Sequence, residues 1–130
     1  MAWSVELRTR SGNVVAYKDF SRINDSASMT QLAQDDCNFL RQLHEQHNGN
    51  VVHVIDVTGI KPSKRVFQYL HAALRVDSTL PKHCYVIGVS KITHKIFKAV
   101  RKLMSKPAAQ MTTLHEGTWN CDIKQEICST

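Results

Sequence analysis

The sequence predicts a single α/β domain with a central, mostly parallel mixed sheet of four to five strands, about three flanking helices and an N-terminal β-hairpin. Compact apolar runs at residues 51–56 and 84–89 have the composition of strands that are buried on both faces. Amphipathic segments of about 12 to 20 residues alternate with such runs, and this order implies crossover connections between parallel strands. The chain has 130 residues, which suits one domain with one hydrophobic core.

The hairpin is predicted from two short strand patterns at residues 3–8 and 13–18. Between them, residues 11–13 (SGN) are typical of a hairpin turn. The alternation in the second strand, with Val14 and Ala16 opposite Val15 and Tyr17, favours a position near the edge of the sheet.

A long first helix follows the hairpin. Residues 24–26 (NDS) offer side chains that can cap its N-terminus. Apolar residues then recur at helical spacing from about Ser28 to His47, and residues 48–50 (NGN) end the helix because glycine readily adopts the left-handed conformation.

The second half of the chain alternates strands and helices. The strand at 51–56 leads through Thr58 and Gly59 into a second amphipathic helix, which residues 77–81 end. The strand at 84–89 leads through Ser90, a predicted N-cap, into a third helix that ends at residues 106–107 (KP). Residues 111–114 are a last strand candidate, and residues 118–130 are interpreted as a polar tail whose flexibility is left open.

The composition is that of an ordinary globular chain. No apolar run approaches the roughly 20 residues that span a bilayer, and the first residues carry charges where a secretory signal would be apolar, so a cytoplasmic protein is expected. The cysteines fit no CxxC or zinc spacing, and a disulfide between the last two is left open; they are Cys37, Cys84, Cys121 and Cys128.

A polar crevice is predicted where the parallel strands end. Ligands of open α/β sheets collect at that edge, where helix N-termini present free N–H groups to anions. The crevice would hold a small anion or an acidic side chain of a partner, and its residues are Asp56, Thr58, Gly59, Ser63, Ser90 and Lys91. The alternative, which the residue types favour, is that Ser90 only caps its helix and Asp56 only ties down the following turn.

The sequence offers no pattern for catalysis, metal binding or a cofactor. His44, Glu45, His47 and His53 are close in sequence, but the HExxH order is absent, and a solvated helix end stabilised by the helix dipole is the preferred interpretation. No serine, cysteine or histidine lies in a nucleophile elbow, and no glycine-rich phosphate loop occurs. We therefore predict no catalytic residue, no metal ligand and no cofactor.

The third helix predicts a basic ridge. No acidic residue occurs from 91 to 106, and the formal net charge of the chain is +6. The ridge consists of Lys95, Lys98, Arg101 and Lys102, with Lys91, His94 and Lys106 beside them. A solvated helix face is the slightly favoured interpretation, and an acidic protein surface is the partner that fits best if the ridge is functional. Nucleic acid is disfavoured because few aromatic residues interleave the cations, and a membrane is disfavoured because no large apolar residue is expected on the polar face.

Two short segments carry a family resemblance. Residues 54–59 (VIDVTG) are similar to the segment with Asp-Leu-Ser-Gly that closes the central strand of STAS domains, and residues 86–90 (VIGVS) match the strand end before the last helix of that family. Together with the order of elements over residues 3–114, the chain resembles the STAS fold of anti-sigma-factor antagonists and related small bacterial proteins.

The resemblance implies a non-enzymatic regulatory domain that binds other proteins. In some members of the family a serine at the start of the second helix is phosphorylated, and Ser63 is the nearest match, although residues 60–64 (IKPSK) lack the acidic residue and the glycine of the family pattern. A homodimer is left open. The alternatives are a domain that binds an anion, nucleotide or lipid in the crevice, and nucleic-acid binding through residues 91–106.

Overall fold

The central sheet confirms the predicted α/β class. The computed structural model describes residues 3–25, 28–76 and 80–130. Within them the sheet has five strands in chain order, which are β1 (Ser4–Arg8), β2 (Val14–Asp19), β3 (Val51–Asp56), β4 (His83–Ile87) and β5 (Thr112–Leu114). β1 pairs with β2 in the antiparallel sense and the other pairs are parallel. The two apolar runs therefore lie side by side as β3 and β4, with Ile55 paired to Val86.

Five α-helices occur in the described residues, where the sequence pattern indicated about three. They are α1 (Met29–Gln46), α2 (Lys64–Val76), α3 (Lys91–Arg101), α4 (Lys106–Gln110) and α5 (Cys121–Cys128). The first three are the predicted helices, although residues 77–79 of the segment expected to end α2 lie outside the described residues.

The interpretation of Lys106 and Pro107 as a helix end was wrong. Both lie in the first turn of α4, where proline is tolerated because the first amide groups of a helix need no intrahelical partner. Ser105 caps this helix by accepting a hydrogen bond from the amide of Ala108 at 3.3 Å.

Helix α5 lies in the segment interpreted as a polar tail. Asn120 caps it by accepting a hydrogen bond from the amide of Ile123 at 3.0 Å. Ile123 and Ile127 are four residues apart, so they share one face of the helix, and both are buried against the sheet.

The N-terminus of α1 lies slightly later than predicted. Ser28 is the N-cap and accepts a hydrogen bond from the amide of Gln31 at 3.2 Å. Of the residues expected to cap the helix, Asn24 and Asp25 lie in a short 3-10 turn, Ile23–Asp25, and Ser26 lies outside the described residues.

Side chains alternate between the two faces of the sheet. On one face Val15, Val52 and Ile87 pack against α5. On the other face Val14 and Ala16 pack against α1, and the residues farther along the sheet face α2 and α3. The prediction of β2 as an edge strand was wrong, because β1 and β3 flank it and helices cover both of its faces.

Candidate functional site

A cavity of about 480 Å³ lies between the sheet and the helices α1, α2 and α3. Its floor is the helix-covered face of the sheet, where residues at every second position of β3 and β4 point toward it: His53, Ile55, Cys84 and Val86. The walls come mainly from apolar side chains of three helices, which are Cys37, Leu40, Val66, Leu70, Ala73, Ile96, Phe97 and Val100. The cavity is within the size range of sites that bind small organic molecules.

The cavity reaches the surface beside two leucines. Leu80 precedes β4 and Leu103 follows α3; both line the cavity, and they are 45% and 66% exposed. The segment after α3 completes this side with Met104, Ala108 and Met111.

A buried ion pair lies at one end of the cavity. Lys18 of β2 is 1% exposed, and its ammonium group donates a hydrogen bond to the carboxylate of Asp36 on α1. The same carboxylate accepts from the indole N–H of Trp3 at 3.2 Å and from the hydroxyl of Tyr69 at 2.6 Å. The ammonium group also lies 5.2 Å from the ring centroid of Phe20, which is close enough for a cation–π contact.

The Lys18–Asp36 pair was not identified from the sequence, although a signal was present. Lys18 follows Val14 and Ala16 at alternate positions and so points to the same covered face. Asp36 lies between Ala33 and Leu40 on the apolar side of α1. Burying either ion alone would be costly. Each side chain therefore compensates the charge of the other, and the pair joins β2 to α1.

A second buried polar pair is formed by two histidines. The Nε2 atoms of His44 on α1 and His53 on β3 are 3.0 Å apart. Burial and, to a smaller extent, the electrostatic effect of His44 lower the pKa of His53 to about 3, so its imidazole is neutral at physiological pH.

The interpretation of this histidine cluster as a solvated helix end was wrong for His44, which is buried against the sheet. Glu45 is exposed and His47 is half-buried, because they lie on other sides of the helix end. Within residues 3–25, 28–76 and 80–130, no group of three or more histidine, cysteine or acidic side chains is arranged to hold a metal ion.

Asp56, the first residue of the predicted crevice, is buried, and both of its carboxylate oxygens accept hydrogen bonds. One carboxylate oxygen accepts from the hydroxyl of Tyr17 at 2.6 Å, and the other accepts from the amide of Thr58 at 3.0 Å. Burial and the nearby carboxylate raise the pKa of Tyr17 well above its ordinary value, so the hydroxyl keeps its proton and donates it. Tyr17 in turn stacks on Trp119, with ring centroids 4.4 Å apart.

The two loops that border the predicted crevice touch each other. Gly88, after β4, has a φ of +72°, and a Cβ atom at this position would overlap the side chain of Thr58 and lie 2.8 Å from its backbone nitrogen. Gly59 also has a φ of +72° but faces open space. The loops after β3 and β4 are therefore in contact, as the parallel pairing of the two strands requires.

The serines of the predicted crevice lie at helix N-termini. Ser90 accepts from the amide of Thr93 at 3.3 Å, while its own amide donates to the Thr93 hydroxyl at 2.6 Å, which forms a capping box. Ser63 accepts from the amide of Val66 at 3.3 Å. Lys91, Thr58 and Gly59 are exposed. These contacts stabilise turns and caps, and the binding role of the crevice, like the phosphorylation of Ser63, stays a prediction.

The basic ridge is on the solvent side of α3, and Lys95, Lys98, Arg101 and Lys102 are all exposed. Two large apolar side chains lie beside it, since Ile92 is 57% exposed and Leu103 is also exposed. Ile92 and Leu103 lie at helical spacing with Ile96 and Val100, on the apolar side predicted for this helix, so it is their exposure that the sequence did not predict. Ile92 is four residues from Ile96, but Ile96 is buried at the cavity wall whereas Ile92 is largely exposed.

Comparison with known proteins supports the fold alone. No protein-family model matches the chain, and no curated protein matches it. Among solved structures, a crystal structure of Sfh5 is similar, with a TM-score of 0.66 and 10% sequence identity over 86% of this chain. The chain spans 46% of the length of that structure, so it is similar to less than half of it. The resemblance to STAS domains therefore stays a prediction.

No helix within the described residues is both long enough and apolar enough to cross a membrane.

Proposed function

We propose that this protein binds a small, mainly apolar molecule in the cavity between the sheet and α1, α2 and α3. The observation that carries the proposal is the cavity itself, which has a volume of about 480 Å³ and apolar walls and reaches the surface at Leu80 and Leu103. Interiors of proteins are normally close-packed, and voids larger than a water molecule are few. A large apolar void next to exposed leucines is therefore better explained by a ligand than by imperfect packing.

The polar groups at the wall suit a ligand with little charge. The carboxylate of Asp36 is already neutralised by Lys18 and accepts two further hydrogen bonds. His53 is neutral. A ligand ion would thus meet no free opposite charge at these two groups, and burying it would be costly. The ligand class that fits is a neutral or weakly polar organic molecule, including the apolar part of a lipid.

The test is the binding of a neutral, environment-sensitive naphthylamine dye to the full chain, measured by fluorescence titration. With about 0.3 kcal/mol per non-hydrogen atom, a dye of about 20 such atoms would bind with a dissociation constant of about 40 μM. Two variants fill the cavity, Ala73→Leu and Ala108→Leu, and each adds three carbon atoms to the wall. We expect each to weaken binding at least about tenfold, since it removes volume that the dye would occupy.

The matched control is Ala99→Leu, the same change at an exposed position of α3 that does not line the cavity. This variant should bind the dye as the parent chain does. The proposal would be refuted by a chain that shows no saturable dye binding, or by cavity-filling variants that bind as tightly as the control.

The regulatory, protein-binding function that the STAS resemblance implies remains a second proposal. The observation that favours it is the exposure of the basic ridge, which offers several cations to an acidic partner. Loss of partner binding in a variant with Lys95, Lys98 and Lys102 changed to Glu, without loss of stability, would support it.

A further inference from the structure

The charges of this protein are separated along the chain. Residues 57–115 contain 11 of the 17 Lys and Arg residues but one of the 11 Asp and Glu residues, so this segment has a formal net charge of +10 and the remainder has −4. The segment includes α2, β4, α3, α4 and β5, which lie together at one side of the sheet and form much of the cavity wall. The exposed cations nearest the cavity opening are Arg101 and Lys102, at the C-terminal end of α3 next to Leu103.

Exposed apolar side chains are concentrated in the same segment. Among the described residues, five large apolar side chains are exposed, and four of them lie between residues 57 and 115: Phe67, Leu80, Ile92 and Leu103. Each such side chain would contribute about 1.5 to 3 kcal/mol of free energy if it were fully buried, and this contribution is absent while it is exposed to water. Scattered examples need no explanation, but these coincide with the positive segment, and two of them line the cavity opening.

On α3 the two kinds of side chain are neighbours. Ile92 and Lys95 are three positions apart on α3 and so lie on adjacent parts of one helix face, whereas Leu103 lies two residues beyond the end of the helix, next to its last cations, Arg101 and Lys102. Lysine can extend its ammonium group to a polar layer while its methylene groups lie along apolar surface. This arrangement matches the interface of a lipid bilayer, where apolar side chains enter the boundary of the acyl chains and cations meet the headgroups.

We propose that the surface formed by Ile92, Lys95, Lys98, Lys102 and Leu103, here called the α3 surface, binds the surface of an anionic lipid membrane. The charge of the segment is complementary to acidic headgroups, and the exposed Ile92 and Leu103 supply the apolar contact that a purely electrostatic partner would not require. Bound in this way, the molecule presents the side of the cavity opening at Leu80 and Leu103 to the lipid. The proposal goes beyond ligand binding in the cavity and does not depend on it.

The experiment measures co-sedimentation of the full chain with vesicles of phosphatidylcholine alone and of an equimolar mixture with phosphatidylserine. We expect binding to the mixed vesicles, little binding to phosphatidylcholine, and weaker binding at high salt, since salt screens charges at a surface. The variant K95E/K98E/K102E should bind at least about 100-fold more weakly, because each cation near an anionic surface contributes about fivefold. Ile92→Ser and Leu103→Ser should each weaken binding about tenfold.

The matched control is R8E/R10E/R41E, which makes the same change in net charge at exposed positions outside the positive segment. It should bind the mixed vesicles within about twofold of the parent chain, so a loss equal to that of the lysine variant would overturn the proposal. Because all of these side chains are exposed, unchanged thermal unfolding checks that the variants are folded. Ala73→Leu should still bind vesicles, which separates failure of this proposal from failure of the cavity proposal.

Two other outcomes would also overturn the proposal. One is equal binding to vesicles by the parent chain, Ile92→Ser and Leu103→Ser, which would leave only nonspecific electrostatic attraction. The other is binding to duplex DNA at the same salt concentration that is tighter than binding to mixed vesicles and is insensitive to Ile92→Ser, which would assign the α3 surface to nucleic acid.

Discussion

Asp36 is the residue whose loss should destabilise the protein most clearly. Its carboxylate accepts hydrogen bonds from Lys18, Trp3 and Tyr69, so Asp36→Ala leaves two buried donors and the half-buried indole of Trp3 without this acceptor. The largest consequence concerns Lys18, which is almost completely buried and would become an uncompensated ion. Removing one partner of a buried ion pair typically costs 3–5 kcal/mol, so we expect the free energy of unfolding to fall by about 4 kcal/mol.

Such a loss is a large part of the total stability of a domain of this size, which is about 5–15 kcal/mol. The assay is equilibrium unfolding in urea, followed by circular dichroism and by the fluorescence of the tryptophans. The matched control is Asp35→Ala, which removes the same side chain from an exposed position one residue earlier, where it accepts a hydrogen bond from Gln31 at 2.8 Å. That change should alter the free energy of unfolding by no more than about 0.5 kcal/mol.

A double variant separates the charge from the packing. Lys18→Met with Asp36→Leu replaces both ions by apolar side chains of similar size, and such replacements are often neutral or stabilising. We expect it to regain most of the stability that Asp36→Ala loses. If Asp36→Ala loses less than about 1 kcal/mol, or no more than Asp35→Ala, the reasoning from the buried pair is incorrect.

Two further predictions concern His53 and Gly88. The folded pKa of His53, about 3, is lower than its ordinary 6.5, so the unfolded chain binds the proton more tightly. The contribution of His53 to the free energy of unfolding should therefore be constant above pH 6.5 and fall by up to about 1.4 kcal/mol per pH unit as the pH drops toward 3. Urea unfolding at several pH values should show this slope in the parent chain and in the exposed-site control His94→Gln, and an equal slope in His53→Gln would contradict the assignment. Gly88→Ala combines a left-handed backbone with a steric overlap, whereas Gly59→Ala meets the same φ of +72° in open space. Thermal unfolding should show a loss of about 1 kcal/mol for Gly59→Ala and a loss larger by at least about 1 kcal/mol for Gly88→Ala, and equal losses would show that the loop relaxes.

The secondary structure was largely predictable because it depends on local patterns. The β-branched runs of β3 and β4 and the helical spacing in α1, α2 and α3 are each visible within a dozen or so residues, and Ser90 was correctly identified as an N-cap. Helix α5 was not predicted, because its apolar residues, Ile123 and Ile127, form only one turn of a repeat. No feature of the neighbouring sequence distinguishes such a pair from a chance spacing. The helix is recognised only in the tertiary structure, where the sheet covers both side chains.

The candidate site was less predictable, because it depends on which elements come together. The crevice residues were placed correctly at the strand ends, yet the apolar cavity lies beneath α2 and α3, where the pattern indicated only a filled core. A side chain on the apolar stripe of a helix looks the same in sequence whether it meets another side chain or a void. Ile92 illustrates this, since its spacing suggests burial and its exposure follows from the position of α3 relative to the sheet.

The amino-acid sequence by itself determined the α/β class, the parallel neighbours β3 and β4 and the basic face of α3, because backbone propensity, apolar periodicity and charge are properties of short segments. The tertiary structure alone decided that Lys18 and Asp36 are buried as a pair, that His44 and His53 meet, and that a cavity remains between the layers. These features depend on distances between residues far apart in the chain, which the packing of the helices on the sheet sets.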